Sequence, residues 1–163
     1  MNKLASSSNK KVLVVRFDRE TLPGFIQTPG GLEGDSVELL RPEGSLVQIP
    51  FAETKLVCFV RDFDGGETWR QHRAFSNRPR AAGIWVRFAF RDGDWLEAIA
   101  PNDLLRVEPG GFQAIPPDPT FQNQRVFVPR SALSSVQVLG VIGSPLRRRP
   151  PQREPDKQLK IFD

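Results

Sequence analysis

The stretches Val47–Phe59 (VQIPFAETKLVCF) and Val126–Val138 (VFVPRSALSSVQV) align without a gap. Val47 falls on Val126, Ile49 on Val128, Pro50 on Pro129, Val57 on Val136 and Phe59 on Val138. Both read as an alternating apolar strand, a proline, a turn or single helical turn, and a second alternating strand. Upstream, Val14–Ile26 (VVRFDRETLPGFI) is similar to Val86–Ile99 (VRFAFRDGDWLEAI) with a one-residue difference in length. Ser36–Leu40 and Asp103–Val107 read as further short strands, followed by the turn formers Pro42-Glu43-Gly44 and Pro109-Gly110-Gly111. Each half thus offers about five short strands, a spacing that fits a small closed or nearly closed antiparallel barrel. The expected fold class is all-β: two tandem SH3-like or Sm-like small barrels packed together, with disordered tails. The alternative is chance similarity between two β-rich stretches.

This reading divides the chain into an N-terminal tail (1–11), a first half (12–63), a linker (64–83), a second half (84–143) and a basic, proline-rich tail (144–163). Alternation names the inward residues. They are Val12, Val14, Phe25, Val37, Leu39, Val47, Ile49, Val57 and Phe59 in the first half. In the second they are Val86, Phe88, Phe90, Leu96, Leu104, Val107, Val126, Val128, Val136 and Val138. Halves of this size have much surface for their volume and gain by packing together. Trp69, Phe75, Trp85 and Trp95 are the candidates to fill the seam, with Glu67–Phe75 expected to cross it as a short helix.

Composition agrees with a folded β protein. Of 163 residues, 39% are hydrophobic and 26% charged, enough apolar content for a core. Fifteen prolines and thirteen glycines favour short strands and turns over long helices. No apolar stretch is long enough to span a bilayer. Met1–Lys11 is polar and lacks an apolar signal segment, so a cytoplasmic location is expected.

The net charge of +4 is unevenly placed. Met1–Lys11 and Ser144–Asp163 each carry +3, and Asp64–Gly83 carries +2. Val12–Phe63 and Ile84–Gly143 carry −3 and −1. A body that tracks phosphates needs the opposite distribution, so direct nucleic-acid binding by the body is not expected.

Catalysis needs groups that exchange protons or attack, held in a cleft. His72, the single histidine, lies between arginines in the linker. Cys58, the single cysteine, sits in an alternating strand and reads as a sheet residue. One cysteine and one histidine leave no disulfide framework and no thiolate or histidine metal cluster. Arg91-Asp92-Gly93-Asp94 lacks the remaining ligands of a calcium loop and reads as a hairpin turn. The expectation is a non-enzymatic protein with no cofactor, no metal and no catalytic residue.

The run Phe90–Leu139 contains RDGDWLEA, GGFQAIPPDP and RVFVPRSALSSVQVL. It resembles an uncharacterised bacterial domain associated with regulatory and signalling proteins, and the first half resembles it more faintly. The resemblance implies a β-rich accessory module and carries over no functional residue. Its most distinctive part, Gly110–Asn123, reads as a long rim loop. Phe112, Pro116, Pro117, Asp118 and Phe121 are its candidate binding residues; the alternative is a loop folded back over the barrel end.

The tail ends in Gln158-Leu159-Lys160-Ile161-Phe162-Asp163, three large apolar residues after a charged, proline-rich run. Gln158-Leu159-Lys160-Ile161-Phe162 resembles the peptide with which bacterial polymerases and repair proteins bind the sliding clamp, Gln-Leu-x-Leu-Phe. The Gln, Leu and Phe positions match, Ile161 is a conservative change, and Lys160 departs from the usual Ser or Asp. The resemblance implies that Leu159, Ile161 and Phe162 fill an apolar groove on a protein partner while Gln158 directs a hydrogen bond. The alternative is a tail that docks on its own barrel. The function expected is an adaptor docking through this peptide, on the sliding clamp as first candidate, in DNA replication or repair. The competing expectation is a regulatory module that binds a protein or small ligand through its rim loops.

Overall fold

A computed structural model describes residues 8–28 and 30–143. The strands are β1 (Ser8–Arg16), β2 (Thr21–Thr28), β3 (Ser36–Leu40), β4 (Leu46–Pro50), β5 (Thr54–Val60), β6 (Gly83–Phe90), β7 (Trp95–Ala100), β8 (Gly111–Ala114), β9 (Asn123–Pro129) and β10 (Leu133–Ile142). Short 3-10 turns occupy Phe51–Glu53, Phe63–Gly65, Leu104–Arg106 and Arg130–Ala132. There is no α-helix among the described residues, so the fold is all-β, and no helix is long and apolar enough to cross a membrane. One sheet has the order β4-β3-β2-β1-β5-β9-β8 and the other β10-β6-β7. A bridge between Ile99 and Ile115 ties β7 to the end of β8.

Several rungs of the two halves correspond. On β1, Val12 faces Gly24 and Phe59; on β6, Val86 faces Ala98 and Val138. Val14 faces Leu22 and Val57, and Phe88 faces Leu96 and Val136. Lys55 is skipped between Leu56 and Thr54, and Ser134 is skipped in the same way between Ser135 and Leu133. The rung Phe25–Leu40 has its counterpart in Ile99–Ile115, and Ser36–Pro50 in Gly111–Pro129. Pro50 and Pro129 both lead into a 3-10 turn with nearly the same backbone, φ −58° and −61°, ψ 142° and 143°. These ladders are compatible with two small barrels. They put Val12, not Val14, in the place of Val86 and Phe25, not Ile26, in the place of Ile99, so the upstream alignment drawn from sequence is two residues out of step at its start and one at its end. The tight turns after β1 and β6 explain the slip. Both are closed by a residue of positive φ, Arg19 (75°) in one and Gly93 (98°) in the other, and only the glycine advertises it.

Among the described residues two apolar clusters form the interior, and β1 and β5 serve both. Val12, Val14, Val57 and Phe59 point into a cluster with Leu22, Ile26, Val37, Leu39, Ile49, Phe51 and Phe127. Leu13, Val15, Leu56, Cys58 and Val60 point the other way, among Trp69, Val86, Phe88, Phe90, Leu96, Val126 and Val128. Every residue of β5 is therefore buried.

Several expectations are corrected. Residues 8–11, assigned to the N-terminal tail, belong to β1. Asp103–Val107 is not a strand. Asp103 Oδ1 accepts from Leu105 N at 3.1 Å and tightens the chain into a 3-10 turn, which leaves Leu104 87% exposed and Val107 half-buried. Val136 and Val138 are exposed rather than inward, because among the described residues β10 pairs with β6 alone. The expected helix over Glu67–Phe75 is a turn at Thr68–His72, its donors Gln71 N and His72 N. Of the four seam aromatics only Trp69 enters a core cluster; Phe75, Trp85 and Trp95 are half-buried beside the linker. The expectations for residues 144–163, including Gln158, Leu159, Ile161 and Phe162, lie outside the described residues.

Candidate functional site: a groove between linker and rim loop

Residues 64–83 fold back along β6 and β7, and three carboxylates hold them there. Glu97, 6% exposed, receives Trp85 Nε1 at 3.1 Å, Phe75 N at 3.2 Å and an Arg87 guanidinium nitrogen at 3.2 Å. Its own N–H donates to Arg73 O at 2.7 Å. Glu67 receives Trp69 Nε1 at 2.9 Å and the Thr21 hydroxyl. Asp94 pairs with Lys55, Arg70 and Arg73. Lys55, the bulged residue of β5, is only 3% exposed, bonds Asp92 at 2.7 Å as well, and lies 5.0 Å from the Trp69 ring. Partial burial opposes the charge on Asp92 and Asp94. The bonds from Lys55, joined at Asp94 by Arg73, outweigh it and hold both carboxyls below their ordinary range.

The rim loop has a carboxylate hub of its own. Asp118 accepts from Thr68 Oγ1 at 2.6 Å, Thr120 Oγ1 at 2.6 Å, Thr120 N at 2.8 Å and Asn123 N at 2.9 Å. Burial again opposes its charge, and these donors outweigh it, so its carboxyl also sits below the ordinary range. Gln122 Nε2 donates to Asp62 O at 2.6 Å and Gly66 O at 3.0 Å, which fastens the loop to the start of the linker.

Between these two segments runs a groove of about 690 Å³. One wall is Arg70–Ala81; the other is Ile115–Pro119 with Phe121; Trp95 and Ile99 of β7 lie between. Pro116, Pro117, Asp118 and Phe121, expected as binding residues, all line it. Their roles differ. Pro116, Pro117 and Asp118 are buried, with Asp118 holding the loop's shape, and Phe121 is 68% exposed at a φ of 61°. Phe112, expected with them, does not line the groove; it packs on Phe88 with the Arg130 guanidinium over its ring. Arg78 and Arg80 are exposed on the linker wall, and neither has an acidic partner among the described residues. Arg73 stands 5.9 Å from the Trp95 ring, and Arg87 4.5 Å from it. The groove thus offers free cations along one side and an aromatic and proline surface on the other.

His72 lies on the linker wall of the groove, and Cys58 is buried in β5. Burial, then the charges of Glu67 and Asp118, push the Cys58 thiol far up, so it stays protonated at neutral pH. The Arg91–Asp94 turn is the hairpin expected of it, with Phe90 N bonded to Asp94 O and both carboxylates engaged by Lys55 rather than by an open cation site. Sequence reasoning missed Lys55, Glu97 and the pairing of Asp94 with the linker, since a buried lysine and a carboxylate in an apolar strand carry no local signal of their partners.

Among protein families, the model of a family of unknown function, DUF6982, matches residues 8–140. The match takes in the whole run Phe90–Leu139 and the first half. No curated protein and no solved structure gives a match.

Proposed function

The chain belongs to that family of unknown function, and we propose that it is a non-enzymatic binding module, built from two small barrels, whose linker–rim groove takes an acidic peptide segment. The observation that carries this reading is the pairing of unmatched Arg78 and Arg80 with exposed Phe121 across one groove. A carboxylate side chain of a partner would meet the arginines while an apolar neighbour covers Phe121 and Trp95. The carboxylate hubs supply rigidity, so little ordering would accompany binding. Selection of peptides displayed on phage against the immobilised full chain, followed by anisotropy titration of the winners, tests it. The selected peptides should carry Asp or Glu beside an apolar residue. Arg78→Ala with Arg80→Ala should weaken them about tenfold, since an exposed ion pair contributes about 0.2–1 kcal/mol. Phe121→Ala should cost about 1–2 kcal/mol. Equal binding by these variants, or salt-sensitive preference for single-stranded oligonucleotides over peptides, refutes the reading.

A second reading rests on the clamp-like peptide. In it the body is an adaptor and Gln158–Phe162 docks on the sliding clamp, with Leu159, Ile161 and Phe162 as anchors. A labelled 152–163 peptide titrated against purified bacterial clamp should bind in the micromolar range. Phe162→Ala should cost about 2 kcal/mol and Lys160→Ala far less. Absence of saturable binding removes this reading and leaves the groove untouched.

A further inference from the structure

We propose that copies of this chain assemble head to tail, the free edge of β10 in one copy pairing antiparallel with the free edge of β4 in the next. The chain already contains this kind of joint once. By the ladders described above, β5 corresponds to β10 and β4 corresponds to β9. Inside the chain, β5 pairs antiparallel with β9. That pairing uses up one member of each corresponding pair and leaves the other two, β4 and β10, as outermost strands of their sheets among the described residues. A second copy supplying β10 to β4 would continue the seven-stranded sheet in the way β9 continues it beyond β5.

The register follows without further assumption. Within the chain Val57 faces Phe127, Cys58 faces Val126 and Phe59 faces Arg125. Carried over by the offset that sets Val47 on Val126, Val136 faces Gln48, Gln137 faces Val47 and Val138 faces Leu46 of the next copy. Val138 and Leu46 are each 61% exposed in the single chain. Directly opposed residues of an antiparallel pair approach to about 5 Å between Cβ atoms, so the joint would cover both.

The two edges also lack one usual safeguard, charge. Exposed edge strands normally carry charge, often lysine, against unwanted pairing. β10 reads LSSVQVLGVI and β4 reads LVQIP, with no charged residue in either. Val136, Leu139 and Val141 of β10 are exposed as well. Pro50 ends β4, but Pro129 ends β9 in the same way and β9 pairs nonetheless. Because the two surfaces differ, the contact is heterologous, and its rotation decides between a closed ring and an open fibre.

Sedimentation of the full chain from low to high micromolar concentration tests this. The mass should rise with concentration, and Leu46→Lys or Val138→Lys should each weaken association more than tenfold while leaving the monomer's thermal midpoint within a few degrees. As a check independent of the lysines, Leu46→Cys chains mixed with Val138→Cys chains under mild oxidation should form dimers containing one of each, while either variant alone should not. A full chain that stays monomeric overturns the proposal, and that result includes the case in which residues 144–163 cover β10 of their own chain. Disulfide dimers of either variant with itself, which would indicate a two-fold contact, overturn it equally.

Discussion

Replacing Trp69 by alanine should separate the linker from the body. Its side chain is 1% exposed and lies in the cluster shared by the two halves. Its ring sits 6.1 Å from Phe90, with Arg70 at 4.4 Å, Lys55 at 5.0 Å and Arg73 at 5.2 Å. Burying an indole of about 200 Å² at about 25 cal/mol per Å² gives about 5 kcal/mol. That is an upper figure, because the denatured chain already covers part of its apolar surface. Truncations of buried aromatics cost about 3–5 kcal/mol. The polar partners soften the loss. Glu67 keeps Arg70 and Thr21, and Lys55 keeps Asp92 and Asp94, so no charge is orphaned. We expect a loss of about 4 kcal/mol in urea unfolding, a large share of the 5–15 kcal/mol typical of a domain. Trp69→Phe keeps most of the packing and loses the bond to Glu67, for about 1–2 kcal/mol. Limited trypsin digestion gives the second readout: cleavage after Arg70, Arg73 and Arg80 should accelerate in Trp69→Ala, while the Arg78–Pro79 bond resists trypsin in either chain. A loss under 1 kcal/mol with an unchanged cleavage pattern would show that Glu97 and Asp118 hold the linker without the indole.

Three further outcomes follow from the same geometry. Asp92, Asp94 and Asp118 have carboxyls lowered in the folded state. Their contribution is complete above the unfolded value of about 4 and is lost as pH falls through the folded values. Urea midpoints should therefore be level from neutral pH to about 5 and decline below about 4, and Asp118→Asn should flatten part of that decline. Cys58 should resist iodoacetamide in the native protein at mildly alkaline pH and react readily once urea unfolds it; native labelling at the rate of a free thiol would contradict its burial. Arg19→Gly should stabilise by about 0.5–1 kcal/mol, since Arg19 holds φ 75° where its counterpart Gly93 holds 98°. A thermal melt that is unchanged or lower would count against strain at that turn.

Alternation and the shared Pro50/Pro129 position were enough to place the strand–proline–strand units, because period-2 burial is a local signal. Most of the first-half core was legible for the same reason. Val136 and Val138 were not, because alternation reports what a strand is fit to bury and not what lies against it. The groove was half legible. Pro116, Pro117, Asp118 and Phe121 stand out as a proline-rich loop. The opposite wall depends on Glu97 and Asp94 reaching the linker across more than twenty residues of sequence, and nothing at Arg78 or Arg80 announces the partner wall. Three of the donors to Asp118 lie within five residues of it, but Thr68 Oγ1 comes from 50 residues away, so the tie that turns this loop aspartate into a hub between loop and linker has no local signal.

The position of β5, with both faces buried and β9 along its far edge, bears on how the chain reaches this state. Val57 and Phe59 complete one cluster while Leu56, Cys58 and Val60 complete the other, so neither half has a finished interior without the other. Unfolding should be a single cooperative transition rather than two. Folding has to wait for a pairing between strands separated by the linker and three intervening strands, a loop closure that raises contact order and slows the search. On the ribosome β5 emerges well before β9, so its apolar far edge is open for the time needed to synthesise residues 61–122. That interval is where aggregation competes with folding, and where a chaperone would have a strand to hold.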